Sequence, residues 1–336
     1  MKIIIDAMGG DNAPLEILKG AEQAVKQWSD LEILAVGRAE EIKKCADEHN
    51  ISLERMEIVN AAETIEMEEE PARAIRSKKD SSIVVGLNLL KEGRGEAFVS
   101  AGSTGALHVG TSLIVRTVKG VKRPALATII PGTSPFLLLD CGANVECRPQ
   151  MLEAFGVMGS IYMKRVMAMK EPRVALVNNG AEETKGTPLY VEAHQLLKAN
   201  SRINFVGNIE PRDIPAGKAD VVVADGFTGN AVLKLTEGLA KFFSGKIKAM
   251  FKKNLGTKIG YLLLKGGVAE FKKSMDADEY GGAPFLGAAK PVIKAHGSSN
   301  ARAVKNAIRQ ARLCVENDLC GQLAESLAVQ EENKGE

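Results

Sequence analysis

Val99-Ser100-Ala101-Gly102-Ser103-Thr104-Gly105-Ala106 decides how the rest of the chain is read. The run Glu96–Val99 before the loop is strand-like, and a helical pattern opens near Thr104, with Leu107, Leu113, Ile114 and Val118 available for a buried face. A strand, a loop of small hydroxyl-bearing residues and a helix start together aim free backbone N–H groups at an anion. Gly102 and Gly105 allow a ligand close to the main chain, and Ser100, Ser103 and Thr104 add hydroxyl donors. The loop has no charged side chain, so any further attraction must come from residues elsewhere. The same residues satisfy a plainer reading, in which Ser103 or Thr104 caps a helix and the glycines ease packing. The loop is neither a Walker loop, since no lysine follows the second glycine, nor a G-x-G-x-x-G fingerprint.

Working outward, four more strand ends have the same character. Lys2–Ile5 runs into Asp6-Ala-Met-Gly-Gly-Asp11-Asn12, with Pro14 suited to a helix start. Ala125–Ile130 and Phe136–Leu139 form a hairpin through Pro131-Gly-Thr-Ser-Pro135, and the second strand ends in Asp140-Cys-Gly-Ala-Asn144. Arg173–Val177 ends in Asn178-Asn179-Gly180 and continues to Lys185-Gly186, and Ala219–Ala224 ends in Asp225-Gly-Phe-Thr-Gly229-Asn230. A later strand near Pro291–Ala295 ends in His296-Gly-Ser-Ser-Asn300. Helical patterns separate these strands, which predicts an α/β fold with a mostly parallel sheet covered by helices. Ligands in such sheets sit at carboxyl ends of strands, so the five similar ends up to Asp225–Asn230 point to one convergent cleft.

A length of 336 residues suits one large α/β unit or two ordinary ones, and a 45% hydrophobic fraction suits a real core. The expected division is a single unit over 1–330, a mobile amphipathic insertion at 251–273 and a disordered tail at 331–336. A net charge of +2 and only 4% aromatic residues give no nucleic-acid signal. The five cysteines (Cys45, Cys141, Cys147, Cys314 and Cys320) form no C-x-x-C pair, and histidine is too sparse for an evident zinc set. No metal is expected, and reduced thiols suit a cytoplasmic protein. Met1–Ile5 is too short for a leader's apolar region, and no apolar run has the length of a membrane span.

Thr64–Lys79 places acids before bases, as a solvated surface helix would, with Arg73 and Arg76 available to an acidic partner. Phe251–Lys273 departs from the α/β pattern. Leu255, Ile259, Leu262 and Leu263 share one helical face, with Lys252, Lys253, Lys258 and Lys265 around it. A basic amphipathic helix of this kind can lie on a membrane surface, and its four glycines favour an exposed, mobile element over a rigid core helix.

Taken together, Asp6-Ala-Met-Gly-Gly-Asp11, Ser100–Ala106, Asp140-x-Gly-Ala-Asn144, Asn179-Gly-x-Glu-x-x-Lys185-Gly186, Asp225–Asn230 and His296-Gly297 resemble the PlsX family of bacterial phosphate acyltransferases, in one order over nearly the whole chain. The resemblance implies transfer of a fatty acyl group from acyl-[acyl carrier protein] to inorganic phosphate for phospholipid synthesis. It also implies a fold like phosphotransacetylase and the isocitrate/isopropylmalate dehydrogenases, a homodimer, and peripheral membrane association.

Phosphate is itself the nucleophile in that reaction, so the site must bind a divalent anion, stabilise an oxyanion and bring the reactants together, with no redox cofactor. Phosphate is assigned to Ser100, Gly102, Ser103, Thr104 and Gly105 together with Lys185, a compact positive charge. Asn144, Asn179 and Asn230 are candidate neutral donors beside Gly229, although each also suits a turn. Asp225 either orients phosphate or caps a helix, and His296 is either a general acid/base or structural. Asp6 and Asp11 are expected to anchor loops through backbone N–H groups. Two rival readings are a nicotinamide-dependent β-decarboxylating dehydrogenase of the same fold and a non-enzymatic membrane-surface adaptor for acyl carrier protein.

Overall fold

One sheet of eleven strands organises the described part of the computed structural model, residues 1–274 and 281–332. The strands are β1 (Lys2–Asp6), β2 (Glu32–Gly37), β3 (Met56–Asn60), β4 (Ala97–Ser100), β5 (Ala125–Ile130), β6 (Phe136–Leu139), β7 (Arg173–Val177), β8 (Asn204–Ile209), β9 (Val221–Val223), β10 (Ala283–Leu286) and β11 (Val292–Lys294). Their spatial order is β3-β2-β1-β4-β11-β10-β5-β6-β9-β7-β8. All neighbours pair in parallel except β11–β10, β10–β5 and β5–β6. The expected mostly parallel sheet is therefore present, and the antiparallel pairs join two halves that run in opposite directions.

Runs such as Ile3-Ile4-Ile5 and Leu137-Leu138-Leu139 are fully apolar because both faces of the sheet are covered. Side chains alternate across a strand. Ile3 and Ile5 enter one core with Leu18 and Ile308 from the helices Leu15–Gln27 and Ala301–Glu316. Ile4 enters the opposite core with Ile83 and Leu87 from the helix Ser82–Lys91. Leu137 and Leu139 join the first core and Leu138 the second, so each core crosses both halves of the sheet.

The register brings the two sets of carboxyl ends together. Ser100 pairs with Lys294, which pairs with Ala283, while Phe285 pairs with Leu126 and Ala127 with Leu139. Counting along β10 and β5, Ser100 and Leu138 stand at the same level. The halves run in opposite directions but are offset, so their loops meet beside β10 and β5. The short β10, which contains Pro284, has no strand pattern of its own and owes its extended state to pairing on both sides.

Three local expectations change. The helix starting at Thr104 ends at Gly110 and passes into a π-helical turn, Thr111–Val115, whose wider winding leaves Leu113 at 54% exposure instead of on the buried face. Within 64–79 only Pro71–Ser77 is helical, because the Glu70 carboxylate caps it by accepting the N–H groups of Ala72 and Arg73. The segment 251–273 is divided between the end of one helix, Gly226–Lys252, and nearly all of a second, Leu255–Ser274. Asn254 starts the second by a reciprocal cap: its Oδ1 accepts the Thr257 N–H at 2.9 Å, and its own N–H donates to Thr257 Oγ1 at 3.1 Å. Of the expected tail, Glu331 and Glu332 close the last helix, and 333–336 lie outside the described residues.

Candidate active site

A cleft of about 880 Å³ opens where the two halves meet. Thr104, Lys294 and His296 line it from one half, and Gly142, Asn230 and Lys234 from the other. Leu126, Thr128 and Ile129 of β5 and Ala283 of β10 contribute a largely apolar floor.

On the first side, the loop that anchors the sequence reading is held from within. Ser100 Oγ donates to Asp6 Oδ2 at 2.6 Å and accepts the Gly102 N–H at 2.9 Å, while Asp6 Oδ1 accepts the Met8 N–H at 3.1 Å. Burial pushes the Asp6 carboxyl above its ordinary range, and these bonds pull it back. Asp6 anchors its loop as expected, but Ser100 and Gly102 are committed to that anchor and are absent from the cleft lining. Ser103 Oγ accepts the Ala106 N–H at 3.4 Å as a helix cap, and a Cβ on Gly105 would stand 2.6 Å from Pro71 Cγ, so Gly105 is a packing glycine. Thr104 alone of the five loop residues lines the cleft. Ser103→Ala is expected to lower stability by about 1 kcal/mol, checked by thermal unfolding.

On the second side, Asp140 is fully buried and accepts five N–H bonds, from Leu126, Gly142, Ala143 and both the main chain and side chain of Asn144. The Asn144 Nδ2 group donates to Asp140 Oδ2 and Pro124 O, both at 2.9 Å, and the residue is 1% exposed. Asn144 therefore braces the wall and does not reach the cleft. A Cβ on Gly229 would fall 1.8 Å from Asp140 O, so Gly229 serves close packing of the helix Gly226–Lys252. Asp225 is the cap of that helix: Oδ1 accepts the Thr228 N–H at 2.9 Å, and Oδ2 accepts the Tyr190 hydroxyl at 2.6 Å and the Thr228 hydroxyl at 3.1 Å. Of its two readings, the structure displays the cap.

Asn230 follows at the cleft surface beside Gly142. Asn179 and Lys185 are exposed on the loop after β7 and are not brought into the cleft lining. Six strand spacings, each about 4.8 Å, separate β7 from β4.

His296 lines the cleft with Nδ1 at 2.9 Å from Ser298 Oγ and accepting the Ser298 N–H at 3.3 Å. That contact leaves the proton of a neutral ring on Nε2. Cys141 also lines the cleft, but burial pushes its thiol up to about 12, so it stays protonated at neutral pH and is not an activated nucleophile. Among the described residues no three His, Cys, Asp or Glu side chains cluster as a metal site requires. Sequence reading missed Lys234, Lys241 and above all Lys294; the available signal for Lys294 was a lysine closing an otherwise apolar strand.

Residues 1–322 match the family model described as fatty acid synthesis protein. The phosphate acyltransferase of Alkaliphilus oremlandii (strain OhILAs) is 49% identical over 329 residues, covering 98% of each chain. The phosphate acyltransferase of Caldanaerobacter subterraneus subsp. tengcongensis is 48% identical over 330 residues, again 98% of each. A phosphotransacetylase from Streptococcus pyogenes superposes with a TM-score of 0.65 at 17% identity, over 95% of this chain and 94% of its own, and so shares the fold.

Proposed function

The chain belongs to the fatty acid synthesis protein family, and from that premise we propose that its cleft moves a fatty acyl group from acyl-[acyl carrier protein] to inorganic phosphate. An oxygen of the hydrogen phosphate dianion attacks the thioester carbonyl, the tetrahedral intermediate expels the carrier-protein thiolate, and the thiolate takes up the proton that the phosphate gives up. The products are acyl phosphate, for phospholipid synthesis, and the free carrier-protein thiol. The supporting observation is the meeting of polar groups from both half-sheets over an apolar floor. Thr104, Asn230 and the Nε2–H of His296 supply neutral donors for phosphate and for the developing oxyanion. Leu126, Ile129 and Leu233 offer the acyl chain an apolar wall. The phosphate acyltransferase relatives favour this reading over a dehydrogenase or an inert adaptor.

In this proposal residues 1–330 act as one catalytic unit, in the cytoplasm and as a homodimer, and the helix pair 226–274 attaches to a membrane surface. Leu255, Ile259, Leu262 and Leu263 are 73%, 52%, 67% and 83% exposed, and Phe242 and Phe243 add to the uncovered apolar surface. Among the described residues no helix is long and apolar enough to cross a membrane.

Mass spectrometry of products from palmitoyl-carrier protein, with and without inorganic phosphate, tests the reaction. Acyl phosphate formed only with phosphate is the expected result; thioester cleavage indifferent to phosphate would reject it. Asn230→Ala should lower kcat about tenfold, or ~1.4 kcal/mol, with the circular dichroism spectrum unchanged. An unaltered kcat would remove Asn230 from the reacting atoms.

A further inference from the structure

We infer that the ammonium of Lys294 is the cation that holds the phosphate nucleophile in the cleft. The inference deepens the acyl-to-phosphate reading and rests on it. Lys294 ends β11 at the centre of the sheet, in register with Ser100 of β4. It is 8% exposed and still lines the cleft. Its Nζ donates to Ala101 O at 2.9 Å and to Ala295 O at 2.6 Å, which leaves one N–H uncommitted by these bonds.

A lysine taken out of water is costly unless an opposite charge compensates it. Asp6 lies near enough to act on Lys294, but its carboxylate already accepts from Ser100 and Met8, and among the described residues Lys294 forms no ion pair within 4.0 Å. The charge is therefore compensated only in part from within. A phosphate dianion in the cleft would complete the compensation, with the neutral donors Thr104, Asn230 and His296 in the same lining. Lys185, exposed beyond β7, has no comparable placement.

The competing role for Lys294 is a clamp that only ties the Ala101 and Ala295 carbonyls together. Titration separates the two roles. Burial pushes the ammonium down to about 8, Asp6 and Asp11 pull it upward, and Lys234 pushes it down. Glu237, Lys241, His296 and the protonated Cys141 thiol are the other ionisable side chains that line the same cleft. As pH rises through about 8 the amine becomes neutral and loses its hold on an anion. An arginine at this position stays charged over that range.

The experiment measures initial rates of palmitoyl-carrier-protein cleavage against inorganic phosphate concentration, from about pH 6.5 to 9.5, in the unaltered protein and in Lys294→Met, Lys294→Arg and Lys185→Ala. Lys294→Met is expected to raise the KM for phosphate at least about tenfold, with the KM for the thioester nearly unchanged. Lys294→Arg is expected to abolish the alkaline rise in phosphate KM shown by the unaltered protein. If Lys294→Met does not fold, as judged by circular dichroism, the Lys294→Arg profile decides the matter. An unchanged phosphate KM in folded Lys294→Met, an unchanged alkaline limb in Lys294→Arg, or a phosphate KM raised by Lys185→Ala alone overturns the assignment. Failure of the unaltered protein to make acyl phosphate would instead overturn the reaction on which the assignment rests.

Discussion

Asp140→Ala is expected to lower stability by about 4 kcal/mol and to disable the site, although Asp140 is not itself in the cleft lining. The carboxylate is 0% exposed and is the common acceptor for five N–H donors between 2.6 and 3.3 Å away. Its loss strands donors in a protein interior, where each unpaired group costs about 1–3 kcal/mol before relaxation or water entry recovers a part. Two of those donors belong to Gly142 and Ala143, so the second wall of the cleft loses its shape. Gly229 packs directly on Asp140 O, which carries the disturbance to the start of the helix that presents Asn230. Urea unfolding of Asp140→Ala and Asp140→Asn gives the check. Asparagine retains one acceptor oxygen and should lose roughly half as much. A loss under about 1 kcal/mol for alanine would show that the five bonds do not brace the wall.

The second large effect is expected in the helix Leu255–Ser274. The pair Leu262→Glu and Leu263→Glu should weaken partitioning onto anionic vesicles about a thousandfold, with thioester cleavage in solution retained. Each leucine contributes about 2 kcal/mol when its side chain leaves water, and about 4 kcal/mol corresponds to three decades in affinity. Their exposures of 67% and 83% leave most of that surface free to be covered. Vesicle flotation and analytical ultracentrifugation of the double variant separate the possibilities. Released vesicles with an unchanged molecular mass support membrane attachment. Persistent vesicle binding together with dissociation into single chains would assign the leucines to a subunit contact instead.

The alternation of apolar strands with helices was legible because each element carries its own period. Ile3-Ile4-Ile5, Leu137-Leu138-Leu139 and Val221-Val222-Val223 are buried on both faces and need no context to be recognised. β10 was not legible, since four residues containing a proline become a strand only between two partners. Among the site residues, residue type alone did not separate a group that faces the cleft from one that braces it. Ser100, Ser103, Asn144 and Asp225 have the chemistry of ligand-binding residues and spend it on helix caps and on bracing the loops. Thr104, Asn230 and His296 have the same chemistry and line the cleft.

By itself, then, the amino-acid order determined most of the strands and helices and the polar, glycine-containing turns between them, because hydrophobic period and turn chemistry act over a few residues. It also carried the family resemblance, because six short motifs recur in one order. Tertiary structure alone decided that two half-sheets running in opposite directions bring their loops to one level, and which members of each loop reach the space between them. It alone turned Lys294, one more residue at the end of a strand, into a buried cation facing that space, because burial and the loss of water are set by distant parts of the chain.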